Sequence, residues 1–229
     1  MIKLKKTFIK RLVAYVIDIT LVSIVSTVIT SNSYINKDYN KYVTTYEEYN
    51  VFYEEYTDSI EELQENLENE KITQDEYDTK LEKLNETYDD KNISYNYKRI
   101  KFSVISTTIR ILVRLLYFVV VQYYFNGQTL GKRVMKLRVV SNNGKKLNIF
   151  NYFLRSLILN GVLLNTLNII FVLILSKNSF LIYNQIVYII NYFLEMSIIA
   201  MIVFEKNNRG LHDYVANTKV IVEGEKNEV

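Results

Sequence analysis

The sequence predicts an all-α integral membrane protein with four transmembrane helices, both termini inside, a helical-hairpin insert outside and a candidate small cytoplasmic β element. Three observations predict it. Apolar runs long enough to cross a bilayer lie at 12–30, about 102–125, about 154–175 and about 180–204. Charge is segregated: residues 32–97 hold 18 acidic and 6 basic residues, a net of −12, while the rest of the chain carries +15. The basic clusters recur on alternate sides of the runs, as the positive-inside rule requires.

The organisation follows in chain order. Residues 1–31 form a basic N-terminus and the first span. Lys3, Lys5, Lys6, Lys10 and Arg11 precede the apolar run, which as a helix reaches about 28 Å. Asp18 interrupts the run and no A-x-A site follows it, so it reads as a retained span and not as a cleaved signal peptide.

Residues 32–98 form the acidic insert, which holds 11 of the 20 tyrosines. Tyr42, Tyr46, Tyr49, Tyr53, Tyr56, Ile60, Leu63 and Leu67 alternate four and three apart. That is a heptad seam, the signature of a coiled coil. Thr73 and Glu76 form a T-x-x-E capping box, and Tyr77, Leu81, Leu84 and Tyr88 share one face of the helix that follows. The segment therefore reads as an antiparallel hairpin with a Tyr-rich seam. Its acids are dispersed and lack the spacing of a calcium loop, so no metal site is expected.

Residues 99–229 hold the other three spans, a basic loop over 126–150 and a tail over 205–229. No run contains proline, which predicts unbroken helices. Residues 176–179 make the last two spans a tight hairpin. Lys136–Val140 alternates, Asn142-Asn143-Gly144 is a turn signal, and Thr218–Val222 can pair with the first stretch as a small sheet.

Composition excludes several chemistries. With no cysteine and one histidine, the chain has no thiol nucleophile, no disulfide and no His-rich metal site. No nucleophile–base arrangement stands out, so an enzyme is the least favoured class. No cofactor and no nucleic acid are implied. Gly127-Gln128-Thr129-Leu130-Gly131-Lys132 is not a P-loop. Its glycines are separated by three residues where four are needed, and Arg133 stands where Ser or Thr belongs. It reads as a tight turn leaving the membrane.

Ionisable residues within the spans are the candidate functional groups. Asp18 lies about 9 Å below the cytoplasmic boundary, where an ionised carboxylate costs roughly 2.5–3.5 kcal/mol and needs a partner, a proton or a role. Arg110 and Arg114 lie four apart on one helix face, and Glu195 lies in the fourth run. Asp18, Arg114 and Glu195 fall at similar depth. An Asp18–Arg114 pair is allowed, and so is a site in which Asp18 and Glu195 share a proton or cation. Asn160, Asn165 and Asn168 read as interhelical hydrogen-bonding groups.

Three blocks carry a family resemblance. Arg11-Leu12-Val13-Ala14 with Ile17-Asp18, Gly127–Lys132 with Leu137-Arg138-Val139-Val140, and Arg209-Gly210-Leu211-His212-Asp213 with Ala216 and Thr218-Lys219-Val220 resemble the RDD family of bacterial membrane proteins. The likeness covers residues 1–30 and 102–222 and leaves out the insert. It implies that Arg11, Asp18 and Asp213 are the name-giving residues. Gly127, Gly131, Lys132, Arg209, Gly210 and His212 belong to the same motifs. Arg209 and His212 can dock their turn onto the helix ends, and His212 reads as a plain donor ahead of a pH sensor.

The resemblance also implies a multi-pass protein of the bacterial cell membrane and a small transporter, such as a monovalent cation/proton antiporter. Its partners would be the lipid bilayer, monovalent cations and protons. Four helices are few for a transport path, so a homo-oligomer is expected with it. The alternative is a non-transporting accessory or assembly protein that holds a partner through its insert.

Overall fold

The computed structural model describes residues 6–224. Lys3 and Lys5 of the basic N-terminus and the last five residues of the tail lie outside the described residues. Among the described residues three helices are long and apolar enough to cross a membrane, and a bent pair makes a fourth span if counted as one.

Helix α1 (Lys6–Thr30) is the first span. The insert follows as α2 (Tyr39–Glu68) and α3 (Gln74–Phe102), packed antiparallel. Their turn is fixed by the capping box: the Glu76 N–H donates to Thr73 Oγ1, and the Thr73 N–H donates to Glu76 Oε2 at 3.0 Å. The seam is aromatic. Tyr56 stacks on Tyr88 with ring centroids 4.0 Å apart, Phe52 also stacks on Tyr88 at 5.6 Å, and the Tyr56 hydroxyl donates to Asn85 at 2.8 Å.

The predicted heptad seam needs a correction. Tyr46 and Tyr53 are about half exposed, and their inner places are taken by Thr45 and Phe52. Thr45, Tyr49, Phe52 and Tyr56 keep the four-and-three spacing, one residue out of register with Tyr46 and Tyr53.

After Ser103 the chain continues as α4 (Val104–Leu115), a π-helical stretch (Leu116–Val121) and the last turn α5 (Gln122–Tyr124), which together make the second span. A short helix α6 (Leu130–Val134) and strand β1 (Leu137–Ser141) follow.

The third span is not the unbroken helix predicted over 154–175. It starts earlier, as α7 (Ile149–Leu159), because Asn148 and Asn151 form a reciprocal cap. It then bends by 66° into α8 (Val162–Ile174). The bend is at Asn160-Gly161, where Gly161 takes a left-handed φ of 63°. The Asn160 carbonyl at the break accepts from Arg114 at 2.9 Å, and Asn165 Nδ2 adds a bond to Gly161 O at 2.7 Å beside the helical one from its own N–H. Broken helices persist in lipid when other groups take up the backbone in this way.

Helix α9 (Lys177–Phe204) is the last long span. Helix α10 (Leu211–Val215) and strand β2 (Thr218–Val222) close the chain. β2 pairs antiparallel with β1, Val139 opposite Val220. The sheet sits on a small core of Val119, Val139 and Tyr152 at the end of the second span.

The spans stay apolar on their outer faces. Val28, Leu116, Leu173 and Phe193 are each about 60–70% exposed. A belt of that size around four apolar helices matches a lipid environment and not water, so this is a membrane-embedded, all-α protein with a small two-stranded sheet.

Candidate functional site

Two fully buried carboxylates, Asp18 and Asp213, organise one end of the bundle.

Asp18 projects from α1 onto the start of α6. Its Oδ1 accepts from the Tyr117 hydroxyl and from the Gly131 N–H, both at 2.7 Å. Its Oδ2 accepts from Thr129 Oγ1 at 2.5 Å and lies 3.8 Å from the Lys132 ammonium. Tyr117 comes from the π-helical stretch, and its oxygen accepts the Leu130 N–H at 3.0 Å. Thr129 Oγ1 accepts the Lys132 N–H at 3.4 Å. Three N–H groups that open α6 are therefore capped by side chains, two of them from other helices. Gly131 is required by the close approach, because a Cβ there would run into the Ala14 carbonyl oxygen of α1.

The Lys132 ammonium also lies 3.2 Å from Thr129 Oγ1 and 5.8 Å from the Phe118 ring centroid. Burial lowers its pKa to about 8, against the pull of Asp18.

Asp213 gathers the other strands of the knot. Arg155 from α7 donates to Oδ1, as does Thr218 Oγ1 at 3.1 Å. The Gly210 N–H at 3.2 Å, His212 Nε2 at 3.3 Å and Arg11 Nη1 at 3.4 Å approach Oδ2. Arg11 Nη1 also donates to Asn208 O at 2.5 Å. Burial alone would raise the Asp213 pKa, but Arg155, His212 and Arg11 outweigh it and hold the carboxyl well below its usual range. Burial lowers the His212 pKa to about 4, so the ring is neutral at pH 7 and donates to Asp213. Arg209 stands behind, with donors on Thr218 O and Asp213 O and its guanidinium 4.0 Å over the Tyr214 ring.

Two motif glycines fit tight turns. Gly127 has φ 89°, and a Cβ there would meet the Val139 carbonyl oxygen. At Gly210 an added Cβ would lie 2.7 Å from the His212 ring.

The intramembrane charges are placed differently from either sequence alternative. Arg114 does not pair with Asp18; it caps the break at Asn160. Glu195 does not meet Asp18 either; it is exposed and accepts from Asn191 Nδ2 at 2.8 Å. Arg110 is exposed and bonded to Thr107 at 3.1 Å. Arg11, on the same helix as Asp18, serves Asp213 instead. The partner of Asp18 is Lys132, known to the sequence reading only as a motif residue. Arg155 and Tyr117 were missed. Arg155 is a cation inside an apolar run and carries the same signal as Asp18. Tyr117, one of 20 tyrosines, carries none.

A cavity of about 320 Å³ adjoins both carboxylate centres. Arg11, Lys132, Arg155 and His212 line it, with apolar residues of α1 and α9 and with Glu195.

Compared with known families, residues 88–217 match the family model of the RDD family, more than half of the chain. No curated protein and no solved structure matches. The chain belongs to the RDD family.

Proposed function

We propose that this RDD protein exchanges a monovalent cation for a proton at Asp18. The observation that carries the reading is the place of the Lys132 ammonium. It lies 3.8 Å from Asp18 Oδ2 and 3.2 Å from Thr129 Oγ1, beside an aromatic face and on the wall of a cavity. An ammonium group resembles Na⁺ or K⁺ in charge and in its demand for oxygen partners. Loss of the Lys132 proton leaves Asp18 and Thr129 as oxygen ligands for a cation entering from the cavity. One cation enters as one proton leaves, and the charge of the buried site is unchanged.

The setting is a four-span protein of the bacterial cell membrane with both termini cytoplasmic and the acidic hairpin outside. Basic residues at 10, 11, 132, 133, 136, 138, 145 and 146 and the net −12 of the insert support that orientation. Four spans enclose little space, so the working form is a homo-oligomer.

Proteoliposomes with an imposed proton gradient test the exchange. Wild type releases protons on addition of Na⁺, K⁺ or Li⁺. Its apparent cation affinity rises about tenfold per pH unit up to about pH 8, where Lys132 gives up its proton, and levels off above. Lys132→Gln binds cation without that pH dependence and moves no protons. Absence of flux with every cation, from folded and inserted wild type, rejects the proposal.

A second reading has its own support. Asp18 is engaged by three hydrogen bonds as well as Lys132, as a purely structural cap would be. An accessory protein that holds a partner through its hairpin would lose function on deletion of residues 40–90 and would show no flux.

A further inference from the structure

We propose that the groove between β1 and the end of the second span holds the phosphate of an anionic phospholipid, bound by Lys145 and Lys146. The groove has a volume of about 450 Å³ and shares no lining residue with the cavity that adjoins the two carboxylate centres. Tyr123 and Tyr124 of the second span, residues 138–141 of β1 and the two lysines line it, together with the Tyr152 ring of α7. The loop that carries the lysines is held at both ends. Before it, Ser141 pairs with Thr218 in the sheet. After it, Leu147 packs on the core of Val119, Val139 and Tyr152, and Asn148 caps α7. The fold therefore presents both ammonium groups at the groove.

Charge selects an anion. Three cations and no acid line the groove. Arg138 is matched by Glu223 at 2.6 Å. Lys145 and Lys146 are exposed, and neither has an ion pair among the described residues. Two positive charges that a ligand can reach are thus left uncompensated. An ammonium group binds phosphate as a point charge. Ser141 Oγ accepts the Asn143 N–H at 3.2 Å, which leaves its own O–H as a further donor.

Position selects a lipid over a soluble phosphate. The second span ends at Tyr124. Tyr124 and Phe125 at that end, and Phe150 in the first turn of α7, are each more than half exposed. Aromatic side chains exposed at the end of a span sit at the headgroup level of a bilayer. The groove is lined by Tyr124 itself, so it opens among lipid phosphates. Basic pockets at that level bind anionic headgroups. The volume accommodates a headgroup while the acyl chains stay in the bilayer. The site does not rest on the proposed exchange, and its test reads lipid and not flux.

The test uses the full-length protein in detergent. Native mass spectrometry counts bound lipid as phosphatidylglycerol or phosphatidylcholine is added. Wild type binds one phosphatidylglycerol per chain about tenfold or more tightly than phosphatidylcholine, and excess inorganic phosphate does not displace it. The double variant Lys145→Gln, Lys146→Gln changes only exposed side chains, so it folds, and it loses that preference. Val140→Trp keeps every charge but fills the groove, and it loses the preference too. Lys136→Gln combined with Lys206→Gln removes the same charge from exposed positions outside the groove and binds like wild type. A wild type without the preference, groove variants that keep it, a control pair that loses it as fully, or displacement by inorganic phosphate would each overturn the proposal.

Discussion

Asp18 and Asp213 lie in one knot, and both are fully buried, but they are held in different ways. Asp213 faces two guanidiniums, a neutral imidazole, a hydroxyl and a backbone N–H. Arginine keeps its proton under all ordinary conditions, so these counter-charges do not leave. Asp18 accepts three hydrogen bonds from uncharged groups and has one lysine as counter-ion. That lysine can give up its proton near pH 8. The first carboxylate fastens α1, α7 and α10 to each other. The second fastens α1 to α6, and its counter-charge can be lost by deprotonation. The kind of cation beside a buried acid decides which role the acid has.

The strongest way to break this contrast is Arg155→Leu. It removes one guanidinium from Asp213 and leaves a buried, under-compensated charge, which typically costs about 3–5 kcal/mol. Thermal unfolding in detergent at pH 7 should show the largest drop of any single substitution in the knot. The effect has a pH signature. The folded-state pKa of Asp213 is depressed, so its stabilising contribution is present above the ordinary carboxylate range and fades as pH falls below about 4. The deficit of Arg155→Leu should shrink in that acid window. A variant that melts like wild type would remove the distinction between the two acids.

Gly131→Ala sharpens the other half. The added methyl meets the Ala14 carbonyl oxygen, a backbone atom that cannot turn aside, so α6 must move away from α1. Overpacking of that kind costs about 1–3 kcal/mol. Gly144→Ala is the control. Gly144 has φ 72° but nothing lies near its added Cβ, so only the backbone penalty of roughly 1 kcal/mol remains. If the two variants lose equal stability in urea or heat, the Asp18 contact does not press α6 onto α1.

The sequence made some of this legible and concealed the rest for physical reasons. Apolar length and charge segregation are properties of composition, so the long helices could be read directly. Alternation in Lys136–Val140 and Thr218–Val222 foretold the small sheet, observed as Leu137–Ser141 paired with Thr218–Val222. The bend in the third span escapes a reading that looks only to proline as the breaker. The dipeptide Asn160-Gly161 was itself a turn signal within the apolar run. The charge pairs were hidden for another reason. Depth along a helix can be counted from sequence, but azimuth and a returning loop cannot. Arg114 has the right depth for Asp18 and instead caps Asn160, while Lys132 arrives from the short helix α6 outside the runs.

The hairpin supplies the smallest and most local test. Its helices meet through tyrosines whose rings pack while their hydroxyls reach polar partners or water. Tyr56→Phe keeps the ring and its stack on Tyr88 but deletes the bond to Asn85. The seam is partly wet, so water can replace the lost partner, and the expected loss is about 0.5–1.5 kcal/mol. The same atom count removed from the knot would strand a buried charge; here it strands only an amide near solvent. Hydrogen exchange on the full-length protein should therefore show faster opening confined to α2 and α3, with protection of α6 and α10 unchanged. If protection at α6 and α10 fell as well, the hairpin and the knot would be one cooperative unit, and the insert would have to be counted as part of what positions Asp18.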